Sequence, residues 1–243
     1  MLKPFFGALT RVFFPRRCPV CDGLLPLLSP GELIHPDCER KLARIRPPYC
    51  LRCGCELAAD EQEYCSACAR RDFHFIRNYP LWVYNDAAQH SMVCFKYHGR
   101  QEYAAYYARA FWDAYEEEIR ALSPDAVIPV PIHRSRLRKR GYNQAALFAA
   151  ALSRLSGIPL RSDVLARKKH TDAQKELGRE ARFRNMKNAF SAQKKAAAGL
   201  HRVLLADDIY TTGSTMEACA VALREAGIEA VYGATLCIAG EKN

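Results

Sequence analysis

The stretch Val203-Leu-Leu-Ala-Asp207-Asp208-Ile-Tyr-Thr211-Thr212-Gly213-Ser214-Thr215 decides the fold. Val203–Ala206 reads as a buried strand, because four apolar residues follow one another. Two adjacent carboxylates close it, a hydroxyl-rich turn with one glycine follows, and Ser214–Ala226 reads as a helix stopped at Gly227. A strand that enters a helix through so short a turn is a unit of a parallel sheet. In such sheets ligands bind at the carboxyl ends of the strands, where the free amides and dipole of the next helix favour a phosphate. Gly213 lets the backbone approach that phosphate closely, and Thr211, Thr212, Ser214 and Thr215 offer hydroxyl groups. Asp207 and Asp208 can accept hydrogen bonds from sugar hydroxyls or hold Mg²⁺. Ser214 and Glu217 also fit a capping box, which needs no ligand, but a cap leaves the two acids unexplained. The Walker pattern is absent, so this turn is not a P-loop.

Outward from that unit the same alternation continues. Leu81–Tyr84 reads as a strand, Tyr103–Leu122 as a helix with aromatics at helical spacing, and Ala126–Val130 as a strand bounded by prolines. Asn143–Leu155 reads as a helix ended by Gly157 and Pro159, and Ala230–Leu236 as the next strand. The expected class is therefore α/β, a parallel sheet with helices on both faces. The 243 residues allow one or two domains. Hydrophobic residues at 49% and charged residues at 26% argue against a disordered chain. The longest run free of Asp, Glu, Lys and Arg is Gly141–Ser153, 13 residues, too short for a membrane-spanning helix. The N-terminal MLKPFFGALTRVFFPRRC has no apolar core with a small-residue cleavage site, so no secretory signal is expected. Lys and Arg number 36 against 26 Asp and Glu, a net charge of +10. That excess calls for an anionic partner: nucleic acid, a phosphorylated small molecule or an acidic membrane surface.

Eight of the eleven cysteines fall before residue 69, which divides the chain near residue 75. Cys94, Cys219 and Cys237 lie in apolar stretches and read as buried small hydrophobes. Cys50-x₂-Cys53-x₁₁-Cys65-x₂-Cys68 has the form of two knuckles that close a tetrahedron around Zn²⁺. Upstream, Cys18-x₂-Cys21 is followed by His35-x₂-Cys38, where the imidazole can stand in for a fourth thiolate of a second zinc. Interleaved pairing, with Cys18 and Cys21 sharing a metal with Cys50 and Cys53, fits the spacing as well; Cys55 falls outside both sets. One or two structural zinc ions are thus expected. The thiolates and the missing signal point to the cytoplasm. The apolar stripe Leu2, Phe5, Phe6, Leu9, Val12 and Phe13 ahead of Arg16 and Arg17 suits packing onto a domain or a partner, or contact with the inner face of a membrane.

The acidic pair and Thr-Gly turn resemble the 5-phosphoribosyl 1-diphosphate (PRPP) motif of type I phosphoribosyltransferases, with Ala206 and Tyr210 in place of the usual larger branched residue and aliphatic. Phe95-Lys-Tyr-His-Gly99, Val130-Pro-Ile-His133, Arg140-Gly-Tyr-Asn-Gln144, Thr171–Gln174 and Asn188-Ala-Phe190 are similar to segments of the ComF family, linked to bacterial competence and DNA uptake. The resemblance runs from about Cys18 to Leu236. It implies a double zinc ribbon over residues 18–75 and a phosphoribosyltransferase-like domain over 76–243, behind an amphipathic segment 1–17. It also implies that Asp207 and Asp208 contact the ribose hydroxyls and Mg²⁺ and act in catalysis, while Thr211, Thr212, Gly213, Ser214 and Thr215 hold the 5′-phosphate. Pro131 would sit near the diphosphate, with Arg140 as its charge partner. The family pattern has Cys where this chain has His35.

Five cations crowd Arg134–Arg140, and Arg161–Lys187 holds nine basic against four acidic residues. Such density can grip a diphosphate or track single-stranded DNA, with Tyr142, Phe183 and Phe190 near enough to stack on bases. Gln174 and Lys175 lie in a polar stretch that reads as a hood over the site. Three functions follow: a PRPP-dependent transferase with an unnamed acceptor, a non-catalytic PRPP-binding protein of the DNA-uptake machinery acting on DNA or competence proteins, and a zinc-ribbon adaptor with an idle sugar site.

Overall fold

A computed structural model describes residues 15–26, 31–168 and 189–239 of the chain. The apolar stripe of residues 2–13, the Thr171–Gln174 stretch, Lys175, Phe183 and Asn188 lie outside the described residues.

Four strands form one parallel sheet in the order β1-β6-β5-β2: β1 (Arg77–Val83), β2 (Ala126–Pro129), β5 (Arg202–Tyr210) and β6 (Ala230–Ile238). A short antiparallel pair, β3 (Leu165–Arg167) and β4 (Phe190–Ala192), stands beside it. The helices are α1 (Pro36–Glu39), α2 (Ser66–Ala69), α3 (Asp86–Tyr97), α4 (Tyr103–Leu122), α5 (Arg134–Arg140), α6 (Gln144–Ser156), α7 (Lys194–Ala197) and α8 (Ser214–Glu225).

Alternation along β5 builds two cores. Leu204 and Ala206 face α3, α4 and α6 together with Phe95, Tyr107, Phe111 and Phe148. Val203 and Leu205 face α8 together with Met216, Cys219 and Leu223. Successive side chains of a strand point to opposite faces, so one apolar run serves both. Cys94, Cys219 and Cys237 are buried, as their apolar surroundings predict.

Four elements differ from the sequence reading. β1 starts at Arg77 rather than Leu81: it is the edge strand of the sheet, with only an isolated bridge from Arg44 to Trp82 on its outer side, and so tolerates Pro80 without its N–H. α3 and α5 were not read as helices. Asn85 caps α3 through Ala88 N–H, whereas α5 buries no residue and so has no apolar period to betray it. β5 does not stop at Ala206 but continues through Tyr210. Its partner β2 ends at the Pro129–Ala206 pairing, while β6 stays paired through Asp207–Thr235 to Tyr210–Ile238. The two acids therefore lie on a strand whose β2 side has fallen away.

The cysteine segments pack into this frame. Cys18, Val20, Ile34 and Cys38 join the α4 core, and Cys50, Cys53, Cys68 and Phe75 join the α8 core. Among the described residues no helix is long and apolar enough to cross a membrane.

Candidate functional site

The end of β5, the turn and the start of α8 meet at the carboxyl edge of the sheet. Asp207 Oδ1 accepts from the Asp208 amide at 2.8 Å, and Asp208 Oδ2 pairs with Lys96 Nζ of α3 at 2.9 Å. Both partners of that ion pair are largely shielded, at 16% and 18% side-chain exposure, so water screens it only partly. Asp207 is pushed up to about 7, chiefly by burial and then by the Asp208 carboxylate beside it. Its own hydrogen bond from the Asp208 amide, Lys96 and Arg167 work in the opposite direction. Two adjacent carboxylates of which one resists ionisation suit a cation or sugar hydroxyls, which relieve the repulsion.

Gly213 holds the turn. It has φ +73°, and a Cβ there would run into the hydroxyl and ring of Tyr210. It is also the N-cap of α8 and makes no side-chain cap bond. The Glu217 amide bonds Gly213 O at 2.8 Å, so the amides of Ser214, Thr215 and Met216 precede the helical ladder at the open end. Thr211 and Thr212 are exposed, and Thr212 Oγ1 lies 2.8 Å from Ser214 Oγ. The capping-box reading of Ser214 and Glu217 does not hold. The Glu217 carboxylate instead takes the His74 amide at 2.8 Å and His74 Nδ1 at 2.5 Å, both contributed by the cysteine module.

The turn after β2 lies beside the acids, since Val130 N–H donates to Ala206 O at 2.9 Å and Asn143 Nδ2 donates to Val130 O at 2.9 Å. Pro131 follows in that turn. Arg140 is engaged by Gln144 Oε1 at 2.9 Å and by the Tyr97 hydroxyl at 3.0 Å, and it stacks on the Tyr97 ring. The cation on Asp208 is Lys96, which lies inside the quoted Phe95–Gly99 segment but could not be assigned to Asp208 without the packing of α3. Arg167 is a second such residue: its Nε is buried and has no partner among the described residues, its guanidinium stacks on Phe190, and it feels the charge of Asp207. No spacing rule points to it.

Both cysteine sets converge in chain order, not interleaved. Cys18, Cys21, His35 and Cys38 form one group and Cys50, Cys53, Cys65 and Cys68 the other, with ligand atoms within 4.8 Å of one another. A tetrahedron with Zn–S near ~2.3 Å has S···S edges of about 3.8 Å; Cys53 Sγ and Cys65 Sγ lie 3.8 Å apart. His35 Nδ1 lies 3.4 Å from Cys21 Sγ, and Nε2 meets Leu24 O at 3.1 Å, the outer contact that orients a ligating imidazole. Each set fits zinc with no position left open for substrate, so the zinc is structural. Cys55 stands against the second set without belonging to it.

The double zinc ribbon domain family matches residues 9–69. Competence protein F of Haemophilus influenzae is 33% identical over 223 residues, 90% of this chain and 95% of that one. This chain belongs to the ComF family. Competence protein ComFC of Bacillus subtilis is 29% identical over 86% of this chain and 89% of its own. The DNA utilization protein YhgH of Salmonella typhimurium is 30% identical over 92% and 97%. Among solved structures, a purine phosphoribosyltransferase from Pyrococcus horikoshii is 20% identical and covers 55% of this chain and 73% of its own. Its TM-score is 0.34, a likeness too loose to bear on the site. As a member of the ComF family the chain has the expected make-up, a parallel-sheet α/β domain behind a small zinc-ribbon module.

Proposed function

We propose that this ComF-family chain binds PRPP with Mg²⁺ in the cleft at the end of β5. The observation that carries this reading is the acidic pair on the unpaired side of β5 followed, across a Gly213 turn, by three helix amides ahead of the ladder. The 5′-phosphate lies against the amides of 214–216 and the hydroxyls of Thr211, Thr212, Ser214 and Thr215. Asp207 and Asp208 take the ribose hydroxyls, with Lys96 holding the Asp208 carboxylate in place at 2.9 Å. Pro131 lines the diphosphate side of the cleft, and Arg140, held on Tyr97, adds positive charge there. Mg²⁺, when bound, spreads the negative charge of the diphosphate. In the transferase reading an acceptor nucleophile bonds to C1 as the C1–O bond breaks, and diphosphate leaves with the electron pair.

The test is a thermal melt with Mg-PRPP, since a ligand selective for the folded state must raise the midpoint. A saturating rise of several degrees is expected in the native protein, and Asp208→Ala removes it. An unchanged rise in that variant assigns the ligand elsewhere. Diphosphate release against a panel of bases and amines then separates transfer from binding.

We extend the reading to single-stranded DNA on α5. Its five cations bury nothing, and the neighbouring Tyr97 ring is 53% exposed under Arg140. The names of the relatives, competence and DNA utilization, agree with such a partner. Affinity for a single strand should fall steeply with salt, and Arg138→Glu with Lys139→Glu should weaken it about tenfold. Undetectable binding at low salt removes DNA from the reading.

A further inference from the structure

We propose that the Cys50–Cys68 zinc site and the phosphate-binding turn are one linked unit: zinc there raises the turn's affinity for phosphate, and bound phosphate retains that zinc. The inference rests on the PRPP reading above and adds a positioning role for His74, Glu217, Tyr210 and Asn78.

Three routes run from the second knuckle set, two to the turn and one to the strand beside Asp207. The first uses Arg52, which lies between Cys50 and Cys53. Its Nη1 donates to Phe73 O at 3.3 Å and Phe75 O at 2.8 Å, fixing the backbone on either side of His74. His74 in turn presents its amide and ring to Glu217, in the first turn of α8. The second route is aromatic. Phe75, fully buried, meets Tyr210 edge to face at 6.3 Å, and Tyr210 lies under Gly213 so closely that no Cβ fits there. Tyr210 and Phe75 share one core with Cys50, Cys53 and Cys68. The third route uses Asn78. Its Nδ2 donates to Cys53 O at 3.1 Å and to Thr235 Oγ1 at 3.0 Å, and Thr235 is the cross-strand partner of Asp207.

The first cysteine set is wired differently. Among the described residues Asp22 takes Arg100 and the Tyr103 hydroxyl, and Glu39 takes the Tyr106 hydroxyl, all on α4 or just before it. Those contacts lead away from the turn.

Removing zinc from the second set frees Arg52 and Cys53 O from fixed knuckles, because the metal is what shapes so small a module. Turn amides bind an anion well only if already aimed at it. A change in phosphate affinity on zinc loss must then appear as an equal change in zinc affinity on phosphate binding.

The experiment follows zinc transfer from the full chain to a chromophoric chelator, with and without Mg-PRPP, His35→Ala assigning the two phases. PRPP should slow release from the second set about tenfold and leave the first set within about twofold. His74→Ala keeps the amide bond to Glu217 and should still fold, melting about 2–6 °C below the native protein because the Glu217 carboxylate loses one of its two partners. It should nevertheless lose most of the slowing, and His74→Asn, which restores a side-chain donor, should regain part of it. Equal slowing of both sets, no slowing while the melt still reports PRPP binding, or full slowing in His74→Ala each overturn the linkage. If the native protein shows no PRPP shift, the reading of the cleft falls and takes the linkage with it.

Discussion

The two faces of the sheet are built alike and charged differently. Each carries one cysteine set in its core, one against α4 and one against α8. Each receives one member of the acidic pair. Asp208 meets Lys96 on the α3 side, whereas Asp207 is felt by Arg167 and Cys219 on the α8 side and pairs with neither. One face therefore holds a satisfied carboxylate and a metal set tied to a long helix. The other holds a carboxylate pushed toward its protonated form by burial and a metal set tied to the Gly213 turn. The contrast is between a Cys₃His set packed against a long helix and a Cys₄ set packed against the helix that follows the acidic strand.

The largest test of the contrast is to break one metal set at a time. Native protein should carry two zinc ions per chain, and Cys50→Ser and His35→Ala one each, read by metal analysis. A structural zinc is worth several kcal/mol, and each kcal/mol moves the midpoint of a chain this size by about 2–4 °C. Cys50→Ser should lower it by about 10–15 °C and His35→Ala by about half as much, because Cys50 is fully buried in the α8 core and Cys21 and His35 lie near the surface. Equal losses would make the two sets equivalent and remove the contrast.

A smaller test uses the acids. Asp207 is raised from 3.8 to about 7 in the fold, so its protonated form is favoured there. Its contribution is fully present below 3.8 and is lost as pH rises through about 7. At pH 8 Asp207→Asn should therefore melt higher than the native apo-protein, by roughly 1–2 kcal/mol, with the gap narrowing toward pH 5. Asp208→Asn removes the partner of Lys96 and should cost about 1–2 kcal/mol instead. Melts of both variants from pH 5 to pH 8 read the two signs, and the same sign for both would mean that the faces do not differ.

Much of the cleft was legible from residue order. Asp207, Asp208 and Gly213 follow a buried strand and precede a helix, and that order alone predicts where they sit. The zinc ligands were legible for the same reason, since C-x₂-C closes locally. Lys96, His74, Glu217, Arg167 and Tyr210 were not. Each acts on a residue far away in the chain, and neither periodicity nor spacing encodes such a meeting. Glu217 even carried a plausible local role as a cap, which the pull of the His74 amide and ring overrode.

The sequence by itself determined the α/β class, the residues available to bind zinc and the strand–turn–helix order, because each is written in local periodicity or spacing; how those ligands pair into two sets was decided by the structure. Only the tertiary structure decided which set belongs to which face, how far β5 extends past β2, and which acid receives the lysine. Those outcomes depend on side chains tens to more than a hundred residues apart sharing one dry environment, where burial makes a single unpaired charge or a single hydrogen bond count.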